Sequence, residues 1–140
     1  MGGWYFKSKA DPTPLGSQTL FTYTGDIEFE IYGVITTTIS AGTTNVKLNV
    51  TPDALSAYDI CANKDIDAFL AGTVITTTGT ASNAAVASTG VGTLSPFQAS
   101  RHIATCITSG IISVTMGAAT AGAISWKIRW RPLTPSATVV

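Results

Sequence analysis

A chain of 140 residues holds one ordinary domain and a single hydrophobic core. Its residues are 45% apolar and only 11% charged, under half the charged share of about 25% usual for a soluble domain. Eight basic side chains balance eight acidic ones, so the basic footprint that nucleic-acid binding needs is missing, and no run of about 18 apolar residues offers a membrane helix. With so little charge, the surface must be covered by Thr, Ser, Gly and Ala or buried against a partner. A net charge of zero also leaves little repulsion between copies.

The first residues, Met1 to Lys9, lack the apolar stretch of a signal peptide. Gly2 does not start a myristoylation motif, because Phe6 stands where Ser or Thr is needed. Synthesis in a reducing cytoplasm is therefore expected, with Cys61 and Cys106 as buried thiols, although two cysteines so placed can meet in a sheet protein. Asn49-Val50-Thr51 matches a glycosylation acceptor but carries no meaning without secretion.

Residues 1–18 read as an arm. Trp4, Tyr5 and Phe6 form an aromatic cluster, and the prolines of Asp11-Pro12-Thr13-Pro14-Leu15-Gly16 exclude helix and central strand. Three adjacent aromatics either lie over an edge of the core or dock onto a neighbouring subunit. The main domain, 19–132, opens on the clearest strand, Ile27-Glu28-Phe29-Glu30-Ile31-Tyr32, which alternates apolar and charged residues. Gly33 interrupts it and reads as a bulge, after which Val34 to Ile39 resumes. Ala41-Gly42-Thr43 supplies a turn, and Val46 to Val50 alternates again until Pro52, so these strands read as a hairpin.

The next stretch is ambiguous. Asp53 to Tyr58 suits one helical turn capped by Thr51 or Asp53, Asp59 to Ala62 a short strand, and Lys64 to Asp67 a charged loop. Gly72 to Gly79 is a strand between two glycines, and residues 80–100 are small and unpatterned, a long loop or weak hairpin. Strands follow at Ile103 to Thr108 and Ile111 to Met116, with a turn over Gly117 to Gly122. The last strand places Ile124, Trp126, Ile128 and Trp130 on one face, and Ser125, Lys127, Arg129 and Arg131 on the other, until Pro132 ends it. Residues 133–140 read as an extended tail.

Seven or eight short strands, with Gly-rich turns and little helix, predict an all-β antiparallel sandwich or barrel, a jelly roll among the options. Glu28 and Glu30 on one strand complement Lys127, Arg129 and Arg131 on another. A cross-strand pair of opposite charge contributes about 0.2–1 kcal/mol, so the first long strand is expected beside the last.

Catalytic chemistry finds few residues to work with. His102 is the one histidine and makes at most two metal ligands with Cys106. No Gly-x-Ser-x-Gly elbow or phosphate-binding glycine loop is present. Asp59, Asp65 and Asp67 lack the glycine and distal glutamate of a calcium loop and read as residues holding their own turn. Trp126 and Trp130 share a face with isoleucines and read as core rather than as a sugar platform. No enzyme, cofactor or metal is expected.

Several stretches resemble small β-rich bacteriophage proteins of the virion. They are Gly25-Asp26-Ile27 through Gly33-Val34-Ile35-Thr36-Thr37, then Thr44-Asn45-Val46-Lys47-Leu48 to Pro52. Further ones are Asp59-Ile60-Cys61-Ala62, Asp65-Ile66-Asp67, Ala71-Gly72-Thr73 and Thr78-Gly79-Thr80. The closing Trp126-Lys127-Ile128-Arg129-Trp130-Arg131-Pro132-Leu133, with Ala137-Thr138-Val139, is also similar to theirs. The resemblance spans roughly residues 20–140, rests on strand and turn patterns, and implies a particle component of the head or tail. The resulting expectation is a capsid decoration or cement subunit of the virion. It would be a homo-oligomer such as a trimer, bound to the major capsid protein through Trp4, Tyr5, Phe6, Leu15, Leu133, Val139 and Val140. A tail or baseplate subunit is the alternative. A carbohydrate- or receptor-binding module working through Tyr58 and Phe69 is the alternative of another class.

Overall fold

A computed structural model describes residues 3–11, 16–42, 44–78, 80–88, 104–117 and 121–140. Within them lie twelve strands and no helix. In chain order they are β1 (Tyr5–Asp11), β2 (Gly16–Thr24), β3 (Ile27–Thr37), β4 (Asn45–Pro52), β5 (Tyr58–Asp59) and β6 (Lys64–Asp65), followed by β7 (Val74–Thr76), β8 (Val86–Ala87), β9 (Ala104–Cys106), β10 (Gly110–Met116), β11 (Ala123–Pro132) and β12 (Thr138–Val139). The count exceeds the expected seven or eight because β5, β6, β8 and β12 are two-residue edge pairings, too short to leave a periodic signature.

The strands form two antiparallel sheets. One runs β1-β11-β3-β7-β8 with β9 also on β3; the other runs β12-β2-β10-β4-β5 with β6 also on β4. Counting β1, β2, β3, β4, β5, β7, β10 and β11 as first to eighth, the sheets read first-eighth-third-sixth and second-seventh-fourth-fifth. This is the order of a jelly-roll sandwich, two Greek keys folded face to face. A link between Ala62 and Ala84 joins the sheets on the β5/β8 side, so β1 lies over β2 and β12 on the opposite flank.

The core fills the space between the sheets. Ile124, Trp126, Ile128 and Trp130 of β11 and Ile27, Phe29, Ile31 and Ile35 of β3 face Val46 and Leu48 of β4 and Ile112 and Val114 of β10. The first long strand and the last are neighbours, as the charges required: Glu30 pairs in register with Arg129 and Glu28 with Arg131, at 2.7 and 2.6 Å.

Five local expectations are corrected. β3 and β4 do not form a hairpin but lie in opposite sheets. Each strand has one apolar face, and that pattern suits strands facing one another as well as strands side by side. The link between them crosses the end of the sandwich, with Ile39 buried and its N–H bound to the Phe69 carbonyl at 2.9 Å. Gly33 is not a bulge. It pairs in register with Trp126, and a Cβ there would stand 2.8 Å from Trp126 Cζ3, so glycine leaves the notch into which the indole folds. The bulges lie elsewhere, at Thr36 opposite β11 and at Leu20 opposite β10. The latter turns both Leu20 and Phe21 inward.

The helical turn after Pro52 is absent. Ala54 has a φ of 59°, outside the helical region, and Leu55 N–H instead closes a turn on the Pro52 carbonyl. The segment read as an arm is part of the sandwich, since β1 pairs with β11 from Tyr5↔Trp130 to Asp11↔Ile124, and β2 begins at Gly16. The tail likewise adds β12 to β2, and Thr22 and Val140 exchange two backbone bonds of 2.8 Å. An edge strand buries little, so β1 never needed the apolar alternation that would have marked it.

The notch predicts an asymmetric pair of stability effects. Gly33→Ala is expected to cost about 1–3 kcal/mol through overpacking against the indole. Trp126→Ala should cost about 3–5 kcal/mol through the cavity it leaves. Urea unfolding of the two variants measures both.

Candidate functional site

The expected assembly residues fall into three groups. Trp4, Tyr5 and Phe6 head the β1 edge, and Val140 stands on the β2 edge beneath it. Between the two edges a cleft of about 350 Å³ is lined by Lys7, Ser8, Lys9, Thr19 to Thr22 and Val140. Leu133, partly exposed, follows β11 at one end, where its N–H binds the Asp26 carbonyl at 2.9 Å. Val139 is corrected: at 3% exposure it is a core residue of this chain, because alternation along β12 turns it inward and Val140 outward. Leu15 lies outside the described residues, as does His102.

On β1, alternation sends Trp4 and Phe6 to the outer face and Tyr5, Lys7 and Lys9 to the inner side of an overhanging edge. The Tyr5 ring stacks on Trp130, with centroids 5.0 Å apart, and closes the core at that flank. Trp4 lies under two guanidinium groups, 4.4 Å from Arg129 and 5.2 Å from Arg131. These same groups hold Glu30 and Glu28, so aromatic, cationic and anionic side chains follow one another across three strands. The hydrogen bond to Glu28 stabilises the charged form of Arg131 and raises its pKa. Phe6 beside them is 71% exposed and Tyr5 49%. The alternating arginines of β11 were visible in the sequence, but their stacking on Trp4 depends on β1 pairing with β11, which no local pattern announced.

The outer face of the second sheet is of another kind. Register places Ser17, Thr19 and Thr22 of β2, Ser113 and Thr115 of β10, and Asn49 and Thr51 of β4 on it. Asn49 donates to Asp59 at 2.8 Å and accepts from the Thr115 hydroxyl at 3.2 Å, while Lys47 pairs with Asp59 at 3.0 Å. It is an uncharged hydroxyl-rich surface with one ion pair at its rim.

Two carboxylates after β5 hold backbone N–H groups. Asp67 accepts the N–H groups of Thr44 at 2.6 Å and Gly42 at 3.3 Å, and Asp65 accepts that of Asp67 at 2.9 Å. Among the described residues, no three His, Cys, Asp or Glu side chains stand close enough to hold a metal ion, and no helix is long and apolar enough to cross a membrane. Cys61 and Cys106 are free and buried, and burial pushes both thiols above their ordinary pKa. The Tyr23 hydroxyl, buried beside Cys106, is pushed up for the same reason, with the neighbouring thiol adding to it. Of the aromatics proposed for sugar binding, Tyr58 is 60% exposed, but Phe69 packs against the core with Lys64 over its ring.

Comparison with family models, with characterised proteins and with solved structures finds no match to the chain.

Raised thiol and phenol pKa values fix the sign of a pH dependence. Folded, these groups hold their protons more tightly than unfolded, so the thiols' stabilisation is complete below their ordinary pKa of about 8.5 and is lost as pH rises above it, while that of the Tyr23 phenol is lost only above about 10. The urea midpoint should therefore fall between pH 7 and pH 10, and Cys61→Ser with Cys106→Ser should flatten that fall. Alkylation at neutral pH should require unfolding.

Proposed function

We propose that this chain is a non-enzymatic structural protein of a bacteriophage virion, a decoration or cement subunit that binds the major capsid protein and its own copies, with a trimer as the working stoichiometry. The observation that carries the reading is the β1 flank, a strand edge with no partner among the described residues, headed by Trp4, Tyr5 and Phe6 with Val140 below. Solvated edges are normally short or covered, and exposed aromatics of this kind suit a protein interface. The jelly roll recurs in viral capsid domains and in lectins. Since one fold hosts many functions, the choice of a virion role rests on the flank and on the resemblance to phage proteins. The resembling stretches at Ile27, Val46 and Trp126 fall on β3, β4 and β11, the centre of the sandwich.

Binding would proceed by burying this aromatic edge and low-charge surface against the shell, with no bond made or broken. A tail or baseplate position would use the same surface. A carbohydrate-binding reading retains one favourable observation, the exposed Tyr58 beside a depression of about 540 Å³ shared with Asp59 and Ile107. Glycan-array binding abolished by Tyr58→Ala would establish it.

Co-sedimentation with purified phage particles lacking the protein tests the proposal. The wild-type chain should pellet saturably with the particles. Phe6→Asp, at a side chain that is exposed and outside the core, should weaken that binding at least tenfold while the far-ultraviolet dichroism stays unchanged. A monomer that remains in the supernatant at every particle ratio would refute the reading, and cryo-electron microscopy of decorated virions separates head from tail.

A further inference from the structure

The charges neutral in total are not evenly placed. At the β1 flank stand Lys7 and Lys9, and Lys127 reaches across to Ser8 on the same strand. Among the described residues neither Lys7 nor Lys9 makes an ion pair. The opposite flank carries Asp59 on β5, Asp65 on β6 and Asp67 just after it, while Lys64 of β6 lies over the Phe69 ring, 5.9 Å from its centroid. Asp59 is matched by Lys47, whereas the carboxylates of Asp65 and Asp67 are bound by backbone N–H groups and face no cationic partner among the described residues. Among the described residues both flanks end in strands paired on one side only, β1 on β11 and β5 and β6 on β4. Each also exposes aromatic side chains, Tyr5 and Phe6 on the basic side and Tyr58 on the acidic side.

We propose that the β1 flank of one copy docks on the β5/β6 flank of a second copy, with Lys7 and Lys9 facing Asp65 and Asp67 and the exposed aromatics packed between them. The proposal rests on the assembly reading above and specifies its contact. Because two different surfaces meet, the contact is head-to-tail, and it closes as a ring when the rotation between copies permits. The self-pairing alternative, β1 against β1 about a two-fold axis through Ser8, would set Lys7 opposite Lys9 and is disfavoured by like charge. Within one chain the two flanks are separated by the width of the sandwich, about 19 Å for five strands, so a direct Lys7–Asp65 contact can form only between copies.

Zero-length carbodiimide cross-linking of an equal mixture of unlabelled and 15N-labelled full-length protein, followed by mass spectrometry, reads that contact. Mixed-isotope peptides joining Lys7 or Lys9 to Asp65 or Asp67 are expected, and they should diminish as salt is raised. Lys7→Glu with Lys9→Glu should lower the oligomer fraction in sedimentation velocity at least fivefold, and adding Asp65→Lys to that variant should restore it in part. An oligomer without these mixed links, an oligomer fraction indifferent to Lys7→Glu with Lys9→Glu, or a wild-type chain that is monomeric throughout would each overturn the head-to-tail contact. The wild-type cross-links decide even if a variant fails to fold. Particle co-sedimentation is scored separately, so retained binding alongside any of these results removes this contact and leaves the virion reading standing.

Discussion

The fit of the Trp126 indole over Gly33 organises the molecule. It lies in the middle of the longest ladder, between β11 and β3, where the largest fully buried side chain meets the residue with none. The register it sets brings Glu28 and Glu30 opposite Arg131 and Arg129 on the outer face and aligns Ile124, Ile128 and Trp130 on the inner one. A slip of one residue would turn every one of these side chains to the wrong side. Around this pair the sheet grows outward, β1 on one side and β7 and β9 on the other, while the second sheet closes over the core.

The same register explains how one flank comes to carry the candidate surface. β11 offers its free edge to β1, and pairing there puts Tyr5 on Trp130 and Trp4 on the two arginines. The aromatic cluster therefore divides its work. Tyr5 completes the core and Trp4 covers an ion-pair ladder, which leaves Phe6 the most exposed of the three. Such a strand end is held in place before any partner arrives, so little ordering entropy would be lost on association. The opposite flank is built from short pairings and turns held by Asp65 and Asp67. The contrast gives the molecule two unlike edges rather than one repeated surface, the condition for head-to-tail contact.

Low charge is put to use in the interior as well. The ion pairs of Arg129, Arg131 and Lys47 lie on the outer faces and the rim, and burial favours the neutral form of the two thiols and the Tyr23 hydroxyl. The second sheet exposes hydroxyls in place of charges, which keeps its surface polar without the desolvation penalty that covering ions would incur.

The sequence by itself determined the all-β class, the buried face of β11 with its two tryptophans, the alternation of β3 and β4, and the pairing of the first long strand with the last. Each of these is written in side chains that alternate every second residue, or in opposite charges that must meet. Only the tertiary structure decided that β3 and β4 face each other across the core, that Gly33 is a notch rather than a bulge, that Val139 is core, and that Tyr5 to Asp11 is an edge strand. These depend on which face meets which, and a period of two carries no information about the partner. Edge strands with half their surface open, and a bulge that sets Leu20 and Phe21 inward together, leave no period to read. Trp4, Tyr5 and Phe6 were marked by their adjacency as covering a core edge or docking on a neighbour, whereas their arrangement over Arg129, Arg131 and Trp130, and the placing of Lys7 and Lys9 on the flank opposite Asp65 and Asp67, exist only once the sheets are assembled.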